Sequence, residues 1–232
     1  MTMQNSESSP VFYARVAGLL YLTIIICGIY SEVFVRGSLV VMGDAAGTAN
    51  NILASEGLFR IGFAADILML LCDVAIAVLF YVLLKPVSKT LALTAAVFRL
   101  TQASVLGLNL LNYYSALLVL KGGLYASVFT VDQVQASAMM FLELHSYGYD
   151  LGLIFFALSS LILGNLVVRS DYFPSLLGYG LMAAAVVYLV GSLTRFLFPD
   201  YASSMEPLYI VPFLAEVSFC LWLLIKGVRV SH

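Results

Sequence analysis

Apolar runs of about 20 residues recur along this chain, each closed by charge, proline or glycine, and that is the length a helix needs to cross the hydrocarbon layer. Six runs qualify, at approximately 15–35, 60–84, 90–120, 146–168, 174–198 and 207–226. Lys85 and Pro86 close the second, Arg169 to Pro174 separate the fourth from the fifth, and Pro199, Pro207 and Pro212 bracket the start of the sixth. The pattern predicts an all-α, polytopic membrane bundle of about six transmembrane helices. Residues 11–229 would form one six-helix domain, between a polar tail at 1–10 and a short tail at 230–232. The start, MTMQNSESSP, has no basic n-region and the run after it lacks a small-residue cleavage site, so the first run is expected to stay as a span.

Two connections carry helical signals of their own. Asp44 can cap a helix AAGTANNILASEG, too polar to span and expected to lie at the outer surface before the second span. Thr130 and Gln133 have capping-box spacing, so a helix should begin near Val131. Continued to Val168, it would be about 57 Å long at about 1.5 Å per residue, far beyond the hydrocarbon layer of about 30 Å, so it must protrude, tilt or break. Gly148 and Gly152 mark the expected bend or tight crossing.

Composition agrees with this class: hydrophobic residues are 62% and charged residues 10% of 232, against roughly 45–50% and about 25% in soluble domains. A net charge of −2 without a Lys/Arg cluster excludes nucleic-acid binding. Outside the spans, Arg15, Lys85, Lys89, Arg169, Lys226 and Arg229 fall on the side of the termini, against Arg36, Arg60 and Lys121 on the other. The positive-inside rule therefore puts both termini in the cytoplasm, for a multi-pass protein of the cell membrane. Cys27, Cys72 and Cys220 lie in apolar runs with no paired spacing and read as small buried hydrophobes.

The candidate chemistry lies in polar residues within the spans. Asp66 and Asp73, seven apart, share a helix face. Arg99, Gln102, Asn109 and Asn112 line a stripe of the third span. Glu143, Ser146, Tyr147 and Asp150 do the same in the fourth, with His145 expected to point elsewhere. Glu32, Arg195 and Glu216 come from the first, fifth and sixth spans. Because a lone charge in lipid is costly, these groups should meet in a polar interior weighted to the outer half. Six carboxylates (Glu32, Asp66, Asp73, Glu143, Asp150 and Glu216) would there face three arginines (Arg60, Arg99 and Arg195), a surplus that favours a cationic ligand or proton handling. Counting depth along the helices puts Asp73, Arg99 and Glu216 in one slab, so Arg99 should contact Asp73 or Glu216, while Asp66 should face Arg195 or water.

The strings RVAGLLYL, LFRIGFAADILMLLCDVAIAVLFYVLLKPV, FRLTQASVLGLNLLN, LHSYGYDLGLIFF, RFLFPDY and AEVSFCLWLLIKGVR resemble the bacterial membrane family named as domain of unknown function 4386, from about Tyr13 to Arg229. The resemblance implies the helical bundle and carries over no reaction, substrate, cofactor or functional residue.

Three functional classes fit this sequence. The favoured one is a small transporter or binding protein for a cation or a proton-coupled amphipathic solute, with Asp73 and Glu216 as coupling carboxylates, Arg99 and Arg195 as gating partners, and Asp66 as the group best placed to touch a ligand. Asn109, Asn112 and Asp150 complete that candidate set. An intramembrane enzyme acting on lipid or isoprenoid would instead use Glu143, His145 and Asp150 in acid/base work. A structural or sensor subunit of a membrane complex is the third. Only His145 and His232 are histidines, which speaks against a histidine-built zinc site. Glu143 and Asp150 could form at most a carboxylate site for a hard cation. No cofactor or metal is expected, and membrane lipid is the expected partner.

Reporter fusions after Lys89 and Lys226 should be active as cytoplasmic reporters, and fusions in the 121–130 connection as external ones. The reverse pattern would overturn the orientation.

Overall fold

The computed structural model describes residues 9–123 and 128–229; the expected tails at 1–8 and 230–232 lie outside the described residues. Helix α1, Pro10–Ile29, continues through a π-helical stretch, Tyr30–Arg36, and a last α-turn, Gly37–Leu39. It is followed by α2 (Ala45–Ala54), α3 (Glu56–Leu84), α4 (Lys89–Leu120), α5 (Val131–Arg169), α6 (Ser175–Leu197) and α7 (Ile210–Ile225), with short turns over Pro199–Tyr209 before α7. Six helical stretches are long and apolar enough to cross a membrane: Pro10–Leu39, Glu56–Leu84, Lys89–Leu120, Val131–Arg169, Ser175–Leu197 and Pro199–Ile225. An all-α polytopic bundle is therefore the architecture, and no strand occurs among the described residues.

The helix boundaries follow their sequence signals. Asp44 Oδ1 accepts from the Gly47 amide at 2.7 Å, capping α2. The Thr130 amide donates to Gln133 Oε1 at 2.9 Å and the Gln133 amide to Thr130 Oγ1 at 3.3 Å, so the capping box starts α5 as expected. That helix then runs 39 residues without a break. Its glycines serve close approach rather than a bend: a Cβ on Gly148 would collide with the Asn109 side chain, and one on Gly152 would come within 2.5 Å of Leu106 Cδ2. The short helix α2 is likewise more than a surface segment. Thr48, Ala49 and Ile52 are buried, and Asn51 Nδ2 donates to the Leu39 carbonyl at 3.2 Å.

The described residues form two compact units, the first from 9–22, 73–100 and 154–229, the second from 23–72, 101–123 and 128–153. In the first, Tyr21, Phe80, Phe173 and Phe219 form a ring cluster with centroids 5.6–6.3 Å apart along its contacts. Helices α5 and α6 meet there at Gly164 and Gly178, where a Cβ on Gly178 would lie 2.5 Å from the Gly164 carbonyl oxygen and 2.8 Å from the Val168 amide nitrogen. Buried Val35, Leu39, Ile52, Phe59, Tyr113, Ala116, Leu117, Ala138 and Leu142 make the core of the second unit, which brings α2 against α3, α4 and α5. Packing of this kind replaces the hydrophobic driving force that lipid does not supply between helices.

Gly178→Val should reduce folded protein in detergent, by about 1–3 kcal/mol or more, because two of the three obstructing atoms are backbone and cannot move aside. Gly107→Ala is the control, since its nearest neighbour would be Leu70 Cδ1 at 3.9 Å. Equal melting temperatures for the two variants would refute the tight crossing.

Candidate functional site: two arginine–aspartate pairs

In the first unit, Arg99 and Asp73 are each 2% exposed, too deep for either charge to be solvated. Asp73 Oδ1 accepts from Arg99 Nε at 2.9 Å and from Nη2 at 2.5 Å. Three rings surround the guanidinium: its carbon lies 5.0 Å from the Phe156 centroid, 5.6 Å from Tyr21 and 5.9 Å from Phe80. Ring faces supply negative potential without adding a charge, so the cage stabilises the buried cation. The depth count therefore identified the Arg99–Asp73 contact correctly. Glu216, the other option for Arg99, accepts a hydrogen bond from the Tyr188 hydroxyl at 2.8 Å. Arg99 Nη1 is buried with no hydrogen-bond partner and borders a cavity of about 10 Å³ with Ser159 and alanines 92, 95 and 96.

The second unit holds a pair that the sequence analysis missed. Asp66 faces Arg36 rather than Arg195: Arg36 Nη1 donates to Asp66 Oδ2 at 2.7 Å, and its Nε donates to Glu32 Oε2 at 2.7 Å. The side chains of Arg36 and Asp66 are 12% and 3% exposed, whereas Glu32 is 70% exposed. Local backbone explains the approach. Gly62, one turn before Asp66, carries no side chain where a Cβ would come within 2.8 Å of Val35 Cγ1, and Ser31 Oγ donates to the Gly62 carbonyl at 3.1 Å. The stretch bearing Ser31, Glu32 and Arg36 is π-helical, a geometry that recurs at functional positions because it re-aims side chains. Tyr113, stacked on Phe59 at 4.0 Å with its hydroxyl bonded to the Phe59 carbonyl, lies beneath the Arg36 guanidinium at 5.7 Å.

His145 is also in this unit, and here the face assignment needs correction. His145 was expected to point away from the interior, yet it is 4% exposed; Glu143, expected inside, is exposed. The cause is the Gly148/Gly152 face. Three and seven residues beyond His145, those glycines pack on α4 and carry His145 inward with them. His145 Nδ1 lies 3.3 Å from the Asn109 carbonyl oxygen, Asn109 Nδ2 donates to the His145 carbonyl at 2.7 Å, and Asn112 Nδ2 donates to Asn109 Oδ1 at 3.1 Å. Asp66, His145 and Tyr149 share the wall of a cavity of about 10 Å³ with Met69, Leu70, Leu106 and Leu110. Asp66 Oδ1 is buried and without a hydrogen-bond partner.

The six-against-three charge count changes accordingly. Arg60 sits with Glu56 and Lys121 in an exposed cluster, its Nη2 2.7 Å from Glu56 and Lys121 Nζ 2.9 Å from the same carboxylate. Glu32 and Glu143 are exposed, Arg36 joins the cations of the interior as a half-buried group, and Arg195 and Glu216 are likewise half-buried. Asp150 is buried, apart in exposure from Glu143. Among the described residues, no three His, Cys, Asp or Glu side chains are grouped to hold a metal ion. The three cysteines are free and buried, in line with their apolar surroundings.

A family described as "Domain of unknown function (DUF4386)" matches residues 16–227. An uncharacterized protein of Archaeoglobus fulgidus is 31% identical over 165 residues, which span 71% of this chain and 83% of that protein. No solved structure matches.

Replacing Arg99 by Leu should strand Asp73 in an apolar surround and cost about 3–5 kcal/mol, read as lost monodisperse protein. Arg99→Leu combined with Asp73→Asn should recover part of that loss. A double variant no better than the single one would show that the pair contributes nothing as a pair.

Proposed function

We propose, taking as premise that the chain belongs to the DUF4386 family, that it is a small transporter or binding protein of the cell membrane, with cytoplasmic termini, in which Asp66 takes up a proton or a small cation. The observation that carries this reading is the unpartnered, buried Oδ1 of Asp66 on the wall of the cavity it shares with His145. A buried carboxylate oxygen left unpaired is costly, and a proton or a cation relieves that cost. Arg36 engages the other oxygen and holds the group in place.

Cavity size narrows the guest. About 10 Å³ accommodates one water-sized species, which suits a proton carried on water, or a small monovalent cation, and leaves no seat for an amphipathic solute at this point. His145, across the same cavity, supplies a second group able to give or accept a proton. Asp73 pairs with Arg99 and acts as its counter-ion within the first unit. The acid/base trio of the enzyme reading gains no support, because Glu143 is exposed while His145 and Asp150 are buried. The count of basic residues at the span ends supports cytoplasmic termini.

Infrared difference spectra of the protein in liposomes, acid minus neutral, should contain a carboxylic-acid carbonyl band that Asp66→Asn lacks. If the guest is a sodium ion, sodium rather than acid should raise the melting temperature, again only with Asp66 present. Identical spectra and identical sodium response in wild type and Asp66→Asn would refute the proposal.

A further inference from the structure

We propose that the pocket between Arg169 and Arg229 binds the phosphodiester of a membrane phospholipid, and that it is a lipid site separate from the buried charges. Three chain segments converge on it within the first unit: the turn at Pro86 after α3, the Arg169–Tyr172 connection after α5, and Arg229 after α7. Each follows the end of a membrane span on the side of the termini, so the pocket opens at the level where headgroups lie. Its volume is about 360 Å³, far larger than the cavities beside Arg99 and Asp66 and of a size for a headgroup rather than a lone ion.

The two arginines are held in place by backbone. The Arg229 amide donates to the Tyr172 carbonyl at 3.0 Å, which ties the chain after α7 to the α5–α6 connection. Gly227, at φ +68°, makes the turn that allows this, its amide donating to the Trp222 carbonyl at 3.0 Å. The Arg229 guanidinium then lies 5.5 Å from the Trp222 ring, leaving its edge free to donate. Arg169 is the last residue of α5, and buried Ser170 closes that end by donating its hydroxyl to the Val167 carbonyl at 2.9 Å. Among the described residues, neither Arg169 nor Arg229 has a carboxylate within ion-pair distance, although Asp171 is in the same wall.

Charge and donor geometry select the ligand. Guanidinium forks match phosphate oxygens in pairs, which ammonium groups cannot do. Two arginines and Asp171 give the wall a charge of +1, matching the single negative charge of a phosphodiester better than the nearly double charge of a phosphomonoester. Asp171 is an acceptor for the hydroxyl or ammonium group that the headgroup carries beyond the phosphate. The same phosphate chemistry could arrive on a soluble phosphate ester, and the experiment separates the two sources.

Native mass spectrometry of the detergent-released protein should show retained phosphatidylglycerol or phosphatidylethanolamine, and titration with either lipid should give saturable binding. Arg169→Gln with Arg229→Gln should weaken it by about tenfold or more, two charge-assisted contacts being lost, while Arg169→Lys with Arg229→Lys should weaken it less. Both arginines are exposed, so the variants should keep the wild-type melting temperature; one that does not is replaced by the lysine pair for the comparison. Saturable binding of glycerol 3-phosphate with no lipid retained would overturn the lipid assignment. Lipid binding equal in wild type and the glutamine pair would overturn the site itself.

Discussion

A charge inside an apolar helix must meet its opposite, and most of this structure can be read as the consequence. An unpaired arginine at mid-membrane costs about 2.5–3.5 kcal/mol even by lenient scales. Arg99 therefore requires Asp73, and the requirement brings residues of α3 and α4 into one unit with a cage of rings around them. In the other unit the demand comes from Asp66, whose buried carboxylate is met by the half-buried Arg36 at the end of the first span, where Gly62 permits the approach. The pairs differ in what remains unpaired: at Arg99 it is a donor, at Asp66 an acceptor. The acceptor shares its small cavity with His145, whereas the donor faces a cavity lined by alanines, leucines and Ser159.

Much of the bundle was legible because lipid leaves the chain few choices. Spans of about 20 apolar residues, a capping box at Thr130 and a stop at Lys85–Pro86 each have one physical meaning, and the helices begin and end accordingly. Arg99–Asp73 was legible for a similar reason, since rise per residue converts sequence position into depth. Arg36 was not, because it stands at the end of the first span and reads as a loop residue. The π-helical turn that aims it at Asp66 leaves no mark in hydropathy. The i, i+4 spacing of Glu32 and Arg36 was the available clue. His145 and Glu143 were assigned to the wrong faces because polarity was taken to define the interior of α5. Gly148 and Gly152 were the better guide, since only the glycine face can press against Asn109 and Leu106.

The two proposed sites divide the molecule's polar chemistry by environment. Asp66 is buried beside a cavity sized for a guest no larger than water, which suits a species exchanged one at a time. Arg169 and Arg229 line an open pocket at the span ends, where the ligand is the solvent of the protein itself. Neither needs the other to form, since each is built by its own local contacts: Gly62 and Ser31 at one, Gly227 and the Tyr172 carbonyl at the other.

The central claim is that Asp66 Oδ1 holds a guest. A map of the lipid-embedded protein, detailed enough to resolve ordered water, tests it most directly. The account predicts one compact density within about 3 Å of that oxygen, inside the cavity walled by His145 and Tyr149. A cavity closed by repacked side chains, or a carboxylate turned so that Arg36 engages both oxygens, would contradict it.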